Sequence, residues 1–448
     1  MTKTNSNPST QPIIIAGGGP CGLLAALILE RNNKPFILFE RASLAKLCAN
    51  VGSGYDLFPT AIEILQDRLG LSLGEFSLKY QGLEMMSTSG KKLRTISMDN
   101  YEARVMNRSD LQNTLLDQLL GKDWKSKHIN DTETVFKTRN GIGELRCEIS
   151  VVDYDQAESY DHVTVKLDDN TEITGSVVLG CDGIHSRIRH KMMLSKLRNI
   201  EEDDLEFCNV NVWWGKAEVK NDIDFSGFLQ GIQENQSKGC MLLGSRKRPG
   251  SVYLCMGKNV VFWALSIKSE SPPSKSSNDL TRRGGFVLSD SDKIELEKVV
   301  SNYGHLMRSI VKHTPSSAIT KVGLYDRSKM DSFYSTGRVV LLGDAAHPQT
   351  PFMGQGVNMA IADAYVMATR LSSQPILEAI KAYDTQARRA SVHKVVKDAR
   401  NTGNMSVSKN TLLCHFMKLG MRFLPLSWMF ESMVASDKSN ADFINEMK

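Results

Sequence analysis

Between Pro12 and Glu40 the chain changes its hydrophobic period twice, and no other stretch restricts its fold so sharply. Ile13-Ile14-Ile15-Ala16 is a short continuous apolar run, the mark of a strand buried on both faces. It ends in the turn Gly17-Gly18-Gly19-Pro20-Cys21-Gly22. Beyond the turn, Leu23 with Leu27 and Leu24 with Ile28 fall at i,i+4, so one face of a helix is apolar. Asn32-Asn33 breaks that helix, and Phe36 to Phe39 reads as a second buried strand. The pattern predicts a βαβ unit with G-x-G-x-x-G at its first turn. Gly17 permits the tight turn, Gly19 lets the backbone approach a pyrophosphate, and Gly22 lets the helix, opened by Pro20, lie close on the strands. The helix N-terminus offers N–H groups and partial positive charge to phosphates. Glu40 closes the second strand where a carboxylate accepts hydrogen bonds from an adenosine ribose, and so favours FAD or NAD over an NADP phosphate. A tight glycine turn in an ordinary α/β protein is the alternative.

At 448 residues the chain suits two or three domains with ample core. A net charge of +5 is mild for this length and points to no nucleic-acid partner. Residues 1–11 are polar, lack the apolar core of a signal peptide and read as a disordered tail. No run of about twenty apolar residues exists to span a bilayer. The eight cysteines show no C-x-x-C pairing and read as reduced thiols of a cytoplasmic protein; no metal-ligand cluster appears.

After Glu40-Arg41, the glycine-rich loop 51–55, with Gly54, either runs along a cofactor or is a plain connector; a helix follows near 59–69. Residues 79–105 alternate loosely and suggest strands of a separate sheet. Asn107 or Ser109 suits the cap of a helix opening near Arg108, a cation the helix dipole repels unless an anion sits nearby. A phosphate partner and a solvated Arg are equal readings. Residues 121–165 hold two or three short strands at most. Residues 175–183 form a buried strand running into Asp182-Gly183, placed where ligands gather in α/β sheets. His185 reads as a surface or helix-start residue.

A second region runs from about 205 to 330. Val210, Val212 and Trp214 share one face of a strand, and Asn209, Asn211 and Trp213 the other. Further strands at 240–246, 251–257 and 259–267 suggest an antiparallel sheet over a pocket. Trp213, Trp214, Trp263 and, from the later loop, Pro348 then face a hydrophobic substrate, or simply belong to a core. Residues 269–285 read as a mobile surface loop and 291–303 as helix. Residues 337–344 form another buried strand ending in a carboxylate. Asp344 suits a polyol, or caps the next turn, and His347 reads as a satisfied loop histidine. Pro348, Pro351, Gly354, Gln355, Gly356, Val357 and Asn358 form a rigid approach to a helix reaching about Leu371, whose N-terminus stabilises negative charge. Residues 374–403 continue as helix. Residues 412–430, rich in Leu, Met, Phe and Trp, dock on the body, lie on a membrane surface or close the active site.

Three separated motifs now agree. Gly17 to Gly22 with Glu40, Gly180-Cys181-Asp182-Gly183, and Gly343-Asp344-Ala345-Ala346-His347-Pro348 through Gly354-Gln355-Gly356 resemble the single-component FAD-dependent aromatic hydroxylases. Tyr325-Asp326-Arg327 ahead of Gly337-Arg338 also looks like this family, with zeaxanthin-epoxidase-like and fungal secondary-metabolite members nearest. The resemblance covers roughly 12–400 and is vague over 200–320. It implies an α/β fold: a Rossmann-like FAD-binding domain from 12–78, 106–200 and 330–372, an interleaved substrate domain with an antiparallel sheet from 79–105 and 201–329, and a helical segment over 373–448. It implies that Glu40 holds the FAD ribose, Arg108 reaches the pyrophosphate, Asp344 binds the ribitol, the 354–358 amides face the flavin pyrimidine edge, and Asp182-Gly183 serves FAD and the nicotinamide donor. Arg41, Gly54 and Pro351 complete the expected cofactor contacts.

The expected reaction is reduction of FAD by NADH or NADPH, addition of O2 at flavin C4a, and transfer of one oxygen atom from the hydroperoxide to an electron-rich ring or alkene. With one nucleotide fingerprint only, the nicotinamide has no Rossmann domain of its own. A same-fold reductase or desaturase that consumes no O2, a non-catalytic FAD-binding regulator, and a membrane-surface epoxidase of a carotenoid-like substrate that needs residues 412–430 are the rivals. No catalytic side chain acting on the substrate is singled out.

Overall fold

The computed structural model describes residues 11–49, 54–98, 101–128, 133–156, 159–196, 205–218, 236–245, 248–257, 260–273, 285–327, 334–423 and 426–447. Residues 1–10 of the expected N-terminal tail and most of the expected 269–285 loop lie outside these residues.

The strand Ile13–Ala16, the helix Pro20–Arg31 and the strand Phe36–Glu40 form as the pattern requires. They found a seven-stranded sheet. Five neighbours in it run parallel: Val339–Leu341, Val177–Gly180, Ile13–Ala16, Phe36–Glu40 and Gly143–Cys147. Short antiparallel strands, Ser335–Thr336 and Val135–Lys137, close its two edges. All four residues of Ile13–Ala16 and of Val177–Gly180 are buried, as parallel strands covered on both faces must be. Register matters most here. Ala16 pairs with Gly180, and Gly180 with Leu341, so three strands end at one level. The chain therefore turns out of the sheet at Gly17, Cys181 and Leu342 side by side.

A ten-stranded sheet carries the second region, in the order Gly285–Val287, Ile319–Asp326, Glu206–Glu218, Val260–Lys268, Arg248–Gly257, Gln236–Ser245, Ser77–Ser87, Arg104–Asn107, Gly54–Leu57, with Lys92–Ser97 paired to Ser77–Ser87. The strands expected within 79–105 join this sheet, separate from the parallel one, together with those of 201–329 as expected. Val210 and Val212 are buried on the face that Trp214 shares, whereas Trp213 packs with the cluster on the opposite side. A three-stranded antiparallel sheet, Val151–Gln156, Val163–Leu167 and Glu172–Gly175, completes the strands. Four strands thus begin within 121–165, one beyond expectation, because each is only three to six residues long amid polar sequence.

The helix expected near 59–69 starts at Pro59–Ile62 and widens into a π-helical turn over Glu63–Arg68. The continuous helix expected over 374–403 is two helices, Ile376–Tyr383 and Gln386–Ser406. Between them Asp384 turns its carboxylate to Tyr334 N and Ser335 Oγ, and the Thr385 hydroxyl caps the second helix by accepting from Arg388 N. Both residues trade helical backbone bonds for side-chain ones. Helices Thr411–Phe423 and Leu426–Asn445 follow. Helix Gly356–Ser373 lies against Pro20–Arg31 and buries one long face in the main core.

Candidate functional site

The level strand ends open onto one cavity of about 1170 Å³, larger than the roughly 300–1,000 Å³ of a site for one drug-sized ligand. At one end stand Gly17, Gly19, Pro20, Glu40, Arg41, Arg108, Asp182, Gly183 and Asp344. At the other the large sheet presents Tyr80, Met85, Trp214, Met241, Tyr253 and Phe262, with Met417 and Met433 from the C-terminal helices. Gly54, Pro351, Gly354, Gly356 and Val357 line the wall where the two ends meet.

The first turn is built tightly. Gly17 has φ +106°, and a Cβ on it would stand 2.4 Å from the Cys181 carbonyl oxygen. A Cβ on Gly22 would stand 2.0 Å from the Gly17 carbonyl oxygen, so Gly22 lines no cavity but lets the helix begin where it does. In front of Gly19 the space is open: a Cβ there meets nothing within 4 Å. Glu40 accepts from Gly18 N (2.7 Å) and Ala42 N (2.8 Å), which aims its carboxylate across the turn and leaves acceptor capacity on both oxygens. Asp182 accepts from Arg187 N at 2.8 Å at the start of the helix Arg187–Lys196, whose first turn Ser186 Oγ also caps by accepting from Arg189 N at 2.9 Å. The other Asp182 oxygen, Arg108 Nε and Gln112 Nε2 are buried with no partner in the protein. Burial pushes the Asp182 carboxyl up, against the hydrogen bonds that pull it down. Arg108 opens the helix Arg108–Leu120; Asn107 caps it by position only, its amide donating to Asp110 Oδ2. These orphaned donors and acceptors around an open glycine cradle fit a dinucleotide with a pyrophosphate and ribose hydroxyls.

The last loop is held from behind. Asp363, fully buried on Gly356–Ser373, accepts from Gly343 N (3.0 Å), His347 Nε2 (2.6 Å) and Arg388 Nη2 (2.9 Å). Burial alone would raise its pKa; the charges of His347 and Arg388 outweigh it and hold the carboxyl far below the usual carboxylate range. His347 is buried with Nε2 on Asp363 but Nδ1 without a partner in the protein, so it is only half the satisfied loop histidine expected, and Asp344 beside it lines the cavity. Gln355 and Asn358 lie behind the wall. Asn358 accepts from Phe58 N (2.9 Å) and donates to the Asp56 and Gly354 carbonyls (2.9 and 2.8 Å), tying the loop to strand Gly54–Leu57; Gln355 is buried and donates to Met433 O.

Two aromatic and loop expectations are corrected. Trp213 does not line the cavity, because neighbouring residues of a strand face opposite sides; it lies under the Lys321 ammonium, 4.6 Å away. Pro348 also stands outside the wall, which passes from Asp344 to Gln349. Trp214 and Trp263 do line it, and Trp263 anchors its indole N–H on Thr314 Oγ1 at 3.0 Å.

Sequence reasoning missed an acid. Asp56 lines the cavity beside Gly354 and accepts from Tyr253 Oη (2.9 and 3.1 Å) and Tyr80 Oη (3.1 Å); the two phenols also touch each other, and Tyr80 touches Cys255 Sγ. Burial pushes the Asp56 carboxyl up, and the Tyr253 and Tyr80 hydroxyls pull it back. A carboxylate inside the otherwise apolar run Tyr55 to Phe58 was the signal available. The partners of Asp56 lie 24 and 197 residues away and carried none.

The sequence matches the family described as FAD binding domain over residues 10–399. It is 25% identical over 420 residues to the aurachin C monooxygenase/isomerase of Stigmatella aurantiaca, covering 92% of this chain and 94% of that protein. It is 28% identical over 391 residues to the 3-hydroxybenzoate 6-hydroxylase 1 of Aquipseudomonas alcaligenes, covering 83% and 84%. Its fold superposes on Klebsiella pneumoniae HpxO, solved with FAD and uric acid, with a TM-score of 0.73 at 19% identity, covering 97% and 99%.

Proposed function

This chain belongs to the FAD binding domain family and is a flavoprotein monooxygenase, and from that premise we propose that it takes electrons from NADH or NADPH, consumes O2, and hydroxylates or epoxidises a small electron-rich aromatic or alkene. One observation carries the reading: three strand ends more than 150 residues apart in pairs meet at a cradle that continues into an apolar, aromatic chamber. Bound FAD supplies the redox and oxygen chemistry. In our proposal Gly17, Gly19, Arg108 and the N-terminus of Pro20–Arg31 hold its pyrophosphate, Glu40 an adenosine ribose, and Asp344 the ribitol. Backbone N–H groups around 354–358, at the start of Gly356–Ser373, steady negative charge on the flavin's pyrimidine edge without reorganising. Met85, Met241, Phe262 and Trp214 keep water from the reacting atoms.

In this reading residues 12–78, 106–200 and 330–372 serve the cofactor, and 79–105 and 201–329 the substrate. Gly54–Leu57 and Arg104–Asn107 form the seam, since they pair on the large sheet. The helix Thr411–Phe423 supports a contact with a membrane surface: Leu412, Phe416 and Leu419 are exposed on one face while Met417 reaches the cavity. Among the described residues no helix is long and apolar enough to cross a membrane.

The test is oxygen uptake by purified protein with NADH or NADPH and a panel of aromatic and alkenyl compounds. Uptake matched by an oxygenated product supports the reading. NAD(P)H oxidation that consumes no O2 would give the reductase instead, and bound FAD that neither donor reduces would give the regulator.

A further inference from the structure

The cavity is electrically lopsided. Every Lys and Arg among its described lining residues, namely Arg41, Lys46, Arg108 and Arg187, stands at the dinucleotide end. Among the described residues the sheet end holds none, and the one charged group there is Asp56, set against Tyr80 and Tyr253. A carboxylate has about four acceptor positions, and the two phenols make three contacts with this one, so it keeps capacity toward the cavity. Tyr80 is itself pinned by Cys255, which Ser237 backs in turn, so the group is a braced construction rather than a loose side chain.

We infer that Asp56, braced by Tyr253 and Tyr80, is a substrate-selecting acceptor, and that the substrate is an uncharged, elongated apolar molecule presenting an N–H or O–H donor to it rather than a carboxylic acid. The inference rests on the proposed use of this cavity for flavin and substrate. An anionic guest in the chamber meets the charge of Asp56 at close range with no lining cation to offset it, or brings a proton with it; either weakens binding. A neutral donor instead completes the acceptor set of Asp56, and a guest without one leaves that set short. The methionines Met85, Met98, Met241, Met405, Met417 and Met433 around it are adaptable walls for a chain or fused ring.

Three probes separate charge from hydrogen bonding: a 2-heptyl-4(1H)-quinolone, its N-methyl derivative, and 2-heptylquinoline-4-carboxylate. Each is titrated into flavin-loaded protein, reading the change in flavin absorbance and the heat of binding. The N–H quinolone is expected to bind at least tenfold tighter than either of the others. Asp56→Asn should narrow the gap between quinolone and carboxylate at least tenfold, and Tyr253→Phe, which keeps the acid, should leave the carboxylate excluded. Equal affinity for lactam and acid, failure of the lactam to bind flavin-loaded protein, or a ranking unmoved in Asp56→Asn would overturn the inference. If Asp56→Asn does not fold, the wild-type ranking and Tyr253→Phe decide it. Protein that takes up no flavin refutes the functional reading first, before any probe is added.

Discussion

Asp363→Asn puts the greatest strain on the reasoning, because Asp363 touches neither the proposed cofactor nor the substrate chamber. Its side chain is 1% exposed and that of Arg388 is 3% exposed. Removing the charge leaves the Arg388 guanidinium buried opposite an amide, and deprives Gly343 N of its charged acceptor. Breaking one side of a buried pair costs about 3–5 kcal/mol. With an unfolding entropy of about 2.1 cal/mol/K per residue, a cooperative unit of this length should melt roughly 3–5 °C lower. The same change loosens Gly343, which has φ +58°, and with it Asp344, so flavin retention should fall as well. The assays are calorimetry of flavin-free protein and the ratio of flavin to protein after gel filtration. The wild-type carboxyl titrates below its ordinary value, so its contribution is complete above about pH 4 and disappears as the pH falls further. The variant should therefore show a flatter stability profile below pH 4. An Asp363→Asn protein that melts within 1 °C of wild type and keeps its flavin would refute the account of how the last loop is held.

Asp344→Ala should yield protein nearly empty of FAD with its melting temperature little changed when flavin-free; a fully yellow variant contradicts the ribitol assignment. Glu40→Ala removes acceptors for Gly18 N and Ala42 N as well as the proposed ribose contact. Its FAD dissociation constant, read by fluorescence titration, should rise about tenfold, less than for Asp344→Ala. Gly17→Ala forces a Cβ against the Cys181 carbonyl at positive φ, and should cost on the order of 2 kcal/mol in denaturant unfolding and abolish tight flavin binding. Leu412→Asp with Phe416→Asp should remove binding to anionic lipid vesicles in flotation assays while flavin content stays at the wild-type level. Equal flotation of variant and wild type would dispose of the membrane contact.

How much of the site was readable from the chain follows from how local each constraint is. The glycine turn, Asp182-Gly183 and Asp344 each close a short buried strand, and such a strand with its turn is specified by adjacent residues. Helix breaks were harder: the stop at Asp384-Thr385 depends on an Asp384 carboxylate that serves Tyr334 and Ser335, some fifty residues earlier. The choice between Trp213 and Trp214 was invisible because each face of Glu206–Glu218 packs on an apolar cluster of its own, so alternation divides the residues without saying which side holds the cavity.

Local sequence alone determined the βαβ unit, its acid at Glu40, and the strand-to-turn character of the other two motifs. Only the tertiary structure decided that these segments end level, through the register Ala16 to Gly180 to Leu341, and thereby share one ligand. It also decided that Asp56 meets Tyr80 and Tyr253, and that Asp363, twenty residues further on, accepts from Gly343 N. The physical reason is the range of the forces involved. Period, turn geometry and capping act over a few neighbouring residues, whereas a buried charge takes whatever partner the packing of distant elements brings within hydrogen-bond reach.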